Sequence, residues 1–149
     1  MPSDIKHPVL GTLSWKSDLS VWETKIELRS GCPIDLRLSN LFDSAPTNNI
    51  DKLLQGGVDL LDWARRTESA CRERIADELL ELHNDTWIPE GTTPMGRAEF
   101  IKRISPNGLV RDTDGSGYFY WADGDMFAGH WIEVRFGKDQ TISQVGLAG

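Results

Sequence analysis

Apolar residues alternate with polar ones over residues 9–38, recur at helical spacing over residues 48–83, and alternate again from Leu109 onward. That double change of period, from two to about 3.6 and back, limits the fold more than any other feature of the chain. In WETKIEL, Trp22, Ile26 and Leu28 oppose Glu23, Lys25 and Glu27, and in PIDLRLSN, Ile34, Leu36 and Leu38 oppose Asp35 and Arg37. VLGTLSWKS sets Val9, Leu13 and Trp15 on one face, and Ser17-Asp18-Leu19-Ser20 suits a hairpin link. Strands with one packed and one wet face belong to an antiparallel meander.

The middle of the chain is helical by the same test. Ile50, Leu54, Val58 and Leu61 repeat at helical spacing, as do Cys71, Ile75, Leu79 and Leu82. Thr47 or Asn48 caps the start after Pro46. Gly56-Gly57 disfavours a helix interior, which implies close approach to the sheet or a kink. Arg65-Arg66-Thr67 reads as a bend between two helices, and MGRAEFIKRIS as a short third one with Met95, Phe100 and Ile104 inward, stopped by Pro106-Asn107-Gly108. Turns follow at Asp114-Gly115, Asp123-Gly124 and residues 137–139. The expectation is a single α+β domain over residues 1–149, an antiparallel sheet from N- and C-terminal strands packed against two to three central helices.

Charge bears on function. The 149 residues carry 23 acidic and 16 basic side chains, a net charge of −7. Nucleic-acid recognition needs a concentrated basic face, so that class is set aside. An acidic surface suits a basic protein partner. No apolar run reaches the length of a membrane span, and the N-terminus lacks the pattern of a secretory signal. Cys32 and Cys71 have no CxxC spacing and read as reduced, packed thiols, so a cytoplasmic location is expected.

Chemistry-bearing residues crowd into residues 112–136, DTDGSGYFYWADGDMFAGHWIEVRF. Asp112, Asp114, Ser116 and Asp123 sit at positions 1, 3, 5 and 12 of a calcium-loop frame. The flanks read as strand, however, and Asp-Gly hairpin turns account for the residues better than a metal site. Asp125, His130 and Glu133 are the catalytic set if the protein is an enzyme. Strand parity puts His130 with Ile132, Val134 and Phe136, opposite Trp131 and Glu133. Asp123, Gly124, Asp125, Gly129 and His130 are therefore expected to form a structural turn network, with His130 bonded to Asp123 or Asp125. No phosphate loop, dinucleotide fingerprint, nucleophile elbow or zinc-protease motif occurs, and no cofactor is expected.

The opening LGTLSW, the central ADELLELHNDTW and above all the ending DGDMFAGHWIEVRF with SQVGLAG resemble the bacterial domain-of-unknown-function family 2262, over nearly the whole chain. The resemblance implies a fold and supplies no catalytic residues.

The favoured expectation is a non-enzymatic interaction module that binds a basic protein partner, as an immunity-type inhibitor would, through Asp112, Asp114, Trp131 and Glu133. The alternatives are a small hydrolase-like enzyme using Asp125, His130 and Glu133, and an aromatic-lined ligand- or sugar-binding module. The last requires two or more aromatics along one groove.

Overall fold

A computed structural model describes residues 2–40 and 49–149. The expected helix caps, Thr47 and Asn48, lie outside the described residues. Four strands come first: β1 (Ile5–His7), β2 (Gly11–Lys16), β3 (Val21–Glu27) and β4 (Pro33–Ser39). Two helices follow, α1 (Ile50–Thr86) and α2 (Arg97–Arg103). Four more strands complete the chain: β5 (Ser105–Arg111), β6 (Gly117–Ala122), β7 (Trp131–Phe136) and β8 (Ile142–Ala148).

All eight strands form one sheet in sequential order. Neighbours are antiparallel except β4 and β5, which run parallel with Leu36 opposite Leu109 and Arg37 opposite Val110. A parallel pair cannot be closed by a tight turn, and here the two helices make the crossover. The sheet is thus mixed, two antiparallel meanders joined side by side, rather than the antiparallel sheet expected.

The helix count is corrected too. Instead of two to three central helices there is one long helix of 37 residues and one short helix of seven. Arg65-Arg66-Thr67 does not bend α1, because none of these residues removes a helical hydrogen bond. Each is anchored instead: Arg65 donates to the Glu27 carbonyl, Arg66 pairs with Asp62 one turn back at 3.1 Å, and the Thr67 hydroxyl donates to the Trp63 carbonyl at 2.7 Å.

One face of the sheet packs on α1. Trp22, Leu36, Leu38, Leu109, Phe119, Trp121, Ile132 and Val134 are fully buried there, against Leu60, Leu61, Ala64, Cys71 and Ile75 of the helix. Each such apolar side chain contributes about 1.5–3 kcal/mol on burial. The Gly56-Gly57 pair is explained by close approach. A Cβ at Gly57 would stand 2.8 Å from the Leu38 side chain, and one at Gly56 would meet the Arg111 guanidinium.

The far end of α1 is covered by α2 and by residues 123–130. His83, Phe100, Phe127 and Trp87 meet there in edge-to-face contacts of 5.6–6.4 Å. Arg72 ties the two helices, donating to the carbonyls of Ile101 and Ile104 while its guanidinium lies over the Trp121 ring. Cys71 is buried in this core, and burial pushes its thiol up to about 11. A thiol reagent at neutral pH should therefore label the half-buried Cys32 alone in the folded protein and both cysteines after denaturation, as counted by mass spectrometry.

Candidate functional site

No described element covers the other face of the sheet. Alternation along each strand sends Glu23 and Lys25 of β3, Asp35 and Arg37 of β4, Tyr118 and Tyr120 of β6, and Trp131, Glu133 and Arg135 of β7 to this side. Their arrangement follows from register. Asp35, Gly108, Tyr120 and Glu133 form one row across β4 to β7, and Arg37, Val110, Tyr118 and Arg135 form the next.

Gly108 gives the first row a gap. Without a side chain it becomes the floor of a hollow of about 460 Å³, with Asp35 and Arg37 on one wall and Tyr120 and Trp131 on the other. A β-bulge between Pro106 and Gly108 breaks the ladder at the rim and places Asn107 in the lining. Bulges commonly re-aim a side chain at such positions. Trp131 pairs with the small Ala148 and is 43% exposed, against 0% for Trp22 and Trp121.

The charges of this face are matched in pairs. Lys25 donates to Asp35 at 2.8 Å, Arg37 to Glu23 at 2.7 Å and Arg135 to Glu133 at 3.2 Å. Arg135 also lies over the Tyr118 ring, which stacks on Tyr120 at 5.7 Å. Burial, followed by the nearby Glu133 carboxylate, raises the Tyr120 phenol above its ordinary value, so it remains a protonated donor at neutral pH.

The sequence candidates are distributed differently from one another. Asp123 is buried, and both its oxygens face the backbone of its own turn: Oδ1 accepts from the Asp125 amide, and Oδ2 from the amides of Phe127 and Gly129 at 2.9 and 3.0 Å. Gly124 sits at φ 57° against the Arg103 carbonyl, and Arg103 in turn donates to the Gly124 carbonyl. His130 stands apart from these carboxylates. Among the described residues its ring makes no hydrogen bond to Asp123 or Asp125, and it meets Trp87 edge-on at 5.8 Å.

Asp125, His130 and Glu133 do not converge. Asp125 is exposed in the turn at φ 63°, His130 faces Trp87, and Glu133 lies on the open face beside Arg135. The odd spacing between His130 and Glu133 separates them across a strand. The calcium frame is also pulled apart, since the whole of β6 runs between Ser116 and Asp123. Six extended residues span about 20 Å.

Asp112 and Asp114 occupy the β5–β6 hairpin tip, at the opposite end of β6 from Trp131. Asp114 accepts from the Ser116 hydroxyl and amide, which hold its carboxyl below the ordinary value. Asp112 is half-buried, and burial followed by the Asp114 charge raises its carboxyl. The ionised Asp112 is thus disfavoured in the fold. The protonated Asp112 contributes stability that is complete below the unfolded pKa and is lost as pH rises through the raised folded value. Asp112→Asn should therefore raise the melting temperature at neutral pH, with the gain vanishing near pH 3, as read by thermal denaturation at both conditions. Lys138 and Arg111 flank this tip, so it is not purely acidic.

Five members of the hollow, Asp35, Arg37, Asn107, Gly108 and Tyr120, are absent from the sequence-derived candidates. The available signal was the wet parity of Asp35, Arg37 and Tyr120. Nothing local joins residues 35–37 to residues 107–110, because that neighbourhood arises from the parallel pair.

No curated protein and no solved structure matches the chain. A family model described as "Uncharacterized protein conserved in bacteria (DUF2262)" matches residues 7–147. With nearly the whole chain covered, the protein belongs to this bacterial DUF2262 family.

Proposed function

We propose that this protein is a non-catalytic recognition module whose working surface is the open face of the sheet, anchored by Trp131 and Tyr120. One observation carries the reading: the hollow over Gly108 gathers two aromatic rings on one wall with a carboxylate, a guanidinium and a carboxamide. Its volume falls within the roughly 300–1,000 Å³ typical of small-molecule sites, and a few polar groups among aromatic surface are what such sites use to fix orientation. The dispersal of Asp125, His130 and Glu133 favours recognition over hydrolysis.

The test is an amide and indole NMR screen against a fragment collection containing cationic, anionic, neutral polar and short-peptide members. Perturbations should gather on Gly108, Tyr120, Trp131 and Gly149. Hits confined to α1 or to the hairpin tip would overturn the reading.

A second reading, binding of a basic protein of the kind an immunity-type inhibitor meets, is favoured by Asp114, which its Ser116 contacts keep ionised. An oligolysine peptide should then bind in a salt-sensitive way, because steering is screened beyond about 10 Å at 0.1 M salt. Binding should be lost in the double variant Asp112→Lys, Asp114→Lys. Equal binding by that variant would remove the tip from consideration.

A further inference from the structure

The way the charges of the open face are paired narrows what the hollow can take. Asp35 and Arg37 are the two charged side chains of its polar wall, and both are already neutralised by β3, through Lys25 and Glu23. A phosphate or carboxylate ligand would have to compete with Glu23 for Arg37. An ammonium or guanidinium ligand would have to compete with Lys25 for Asp35. A neutral ligand leaves both pairs intact and meets no net charge.

Hydrogen-bonding capacity nevertheless remains on both side chains. Arg37 uses Nε on Glu23, and its terminal N–H groups make no hydrogen bond among the described residues. Asp35 gives Oδ1 to Lys25, which leaves Oδ2 as an acceptor. The two residues lie two positions apart on β4, about 7 Å between backbones, so a donor fork and an acceptor line one edge of the hollow. Asn107 adds one further donor and acceptor at the rim. Groups that each donate and accept, set close together on one scaffold, satisfy such an edge. Vicinal hydroxyls do so.

The facing wall asks for something different. Trp131 is an exposed flat ring, and Tyr120 presents a ring with a protonated hydroxyl. An aromatic face is electron-rich and attracts the positive edge of C–H bonds. A ligand suited to both walls is neutral, carries several hydroxyls on its rim, and has an apolar C–H face.

We propose that the hollow over Gly108 binds a neutral saccharide unit, stacked on Trp131 and Tyr120 and hydrogen-bonded by Asp35, Arg37 and Asn107. This rests on the open-face reading, and names its ligand class.

The test is titration of the full chain with neutral sugars (glucose, galactose, N-acetylglucosamine and their disaccharides), following the Trp131 indole resonance. Glucuronate, glucosamine and a short peptide serve as charged and peptidic comparisons. At least one neutral sugar should shift that resonance with a dissociation constant of about 1 mM or tighter, and bind more tightly than its charged analogue. Trp131→Ala, Asp35→Asn and Gly108→Val should each weaken it about tenfold or more with unchanged melting temperature, the last by filling the floor. Should Gly108→Val fail to fold, Gly108→Ala serves, since its Cβ meets only the Asp35 carbonyl at 3.4 Å. If the peptide or a charged analogue perturbs the hollow while every neutral sugar is silent to about 10 mM, the saccharide assignment falls and the open-face reading stands. If no probe or fragment perturbs Trp131, both fall.

Discussion

Asp123→Ala is expected to lower the unfolding free energy by about 4 kcal/mol. Three backbone amides, those of Asp125, Phe127 and Gly129, converge on this one carboxylate. Removing it leaves the buried Phe127 amide without a partner, at about 1–3 kcal/mol, and hands the part-buried amides of Asp125 and Gly129 to water at a smaller cost. The turn also holds Met126 and Phe127 in the core, where both are buried and Phe127 meets Phe100. Loosening the turn therefore strips cover from the end of α1. Asp123→Asn should lie between, because its single acceptor oxygen cannot serve all three amides. Chemical denaturation measures the series, and a loss below about 1 kcal/mol for the alanine variant would show that the turn is held by its apolar residues instead.

Gly117→Ala should cost about 3 kcal/mol for a different reason, lack of space. Gly117 opens β6 between Arg111 of β5 and Phe136 of β7. A Cβ placed there would fall inside the radius of the Val110 carbonyl oxygen and within 2.9 Å of the Phe136 ring. A flexible side chain can move aside, whereas a strand carbonyl moves only with its ladder. Gly108→Ala is the matched control, because its Cβ meets nothing closer than the Asp35 carbonyl at 3.4 Å. The two variants should separate clearly in melting temperature, and equal behaviour would mean that β5 and β6 are spaced differently.

Much of the sheet was legible in the chain. The alternation in WETKIEL and PIDLRLSN assigned the buried and wet faces of β3 and β4, because one face of each strand meets α1 and the other meets solvent. The parity of HWIEVRF likewise put Trp131 opposite the core residues Ile132 and Val134. Two signals were read only in part or misled. Pro106-Asn107-Gly108 does follow the end of α2 at Arg103, yet it already lies within β5, which starts at Ser105 rather than Leu109 and carries a bulge there. Arg65-Arg66-Thr67 reads as a break, yet continues α1, since tertiary packing on Leu61, Ala64 and Cys71 outweighs weak local preferences. The parallel joint between β4 and β5 had no local trace, as periodicity reports which face a residue takes and not which strand lies beside it. The hollow is built across that joint. Its aromatic wall was therefore partly legible through Trp131, and its polar wall was not.

The recognition reading stands on Trp131 facing open solvent, and the chain's six tryptophans provide an internal scale for that. Indole N–H resonances measured with a soluble paramagnetic chelate report the exposure of each ring separately. Trp131 should broaden most, while Trp22, Trp63 and Trp121 remain sharp in the core. A Trp131 signal as protected as that of Trp22 would show the face covered in solution, and the hollow could then receive no ligand.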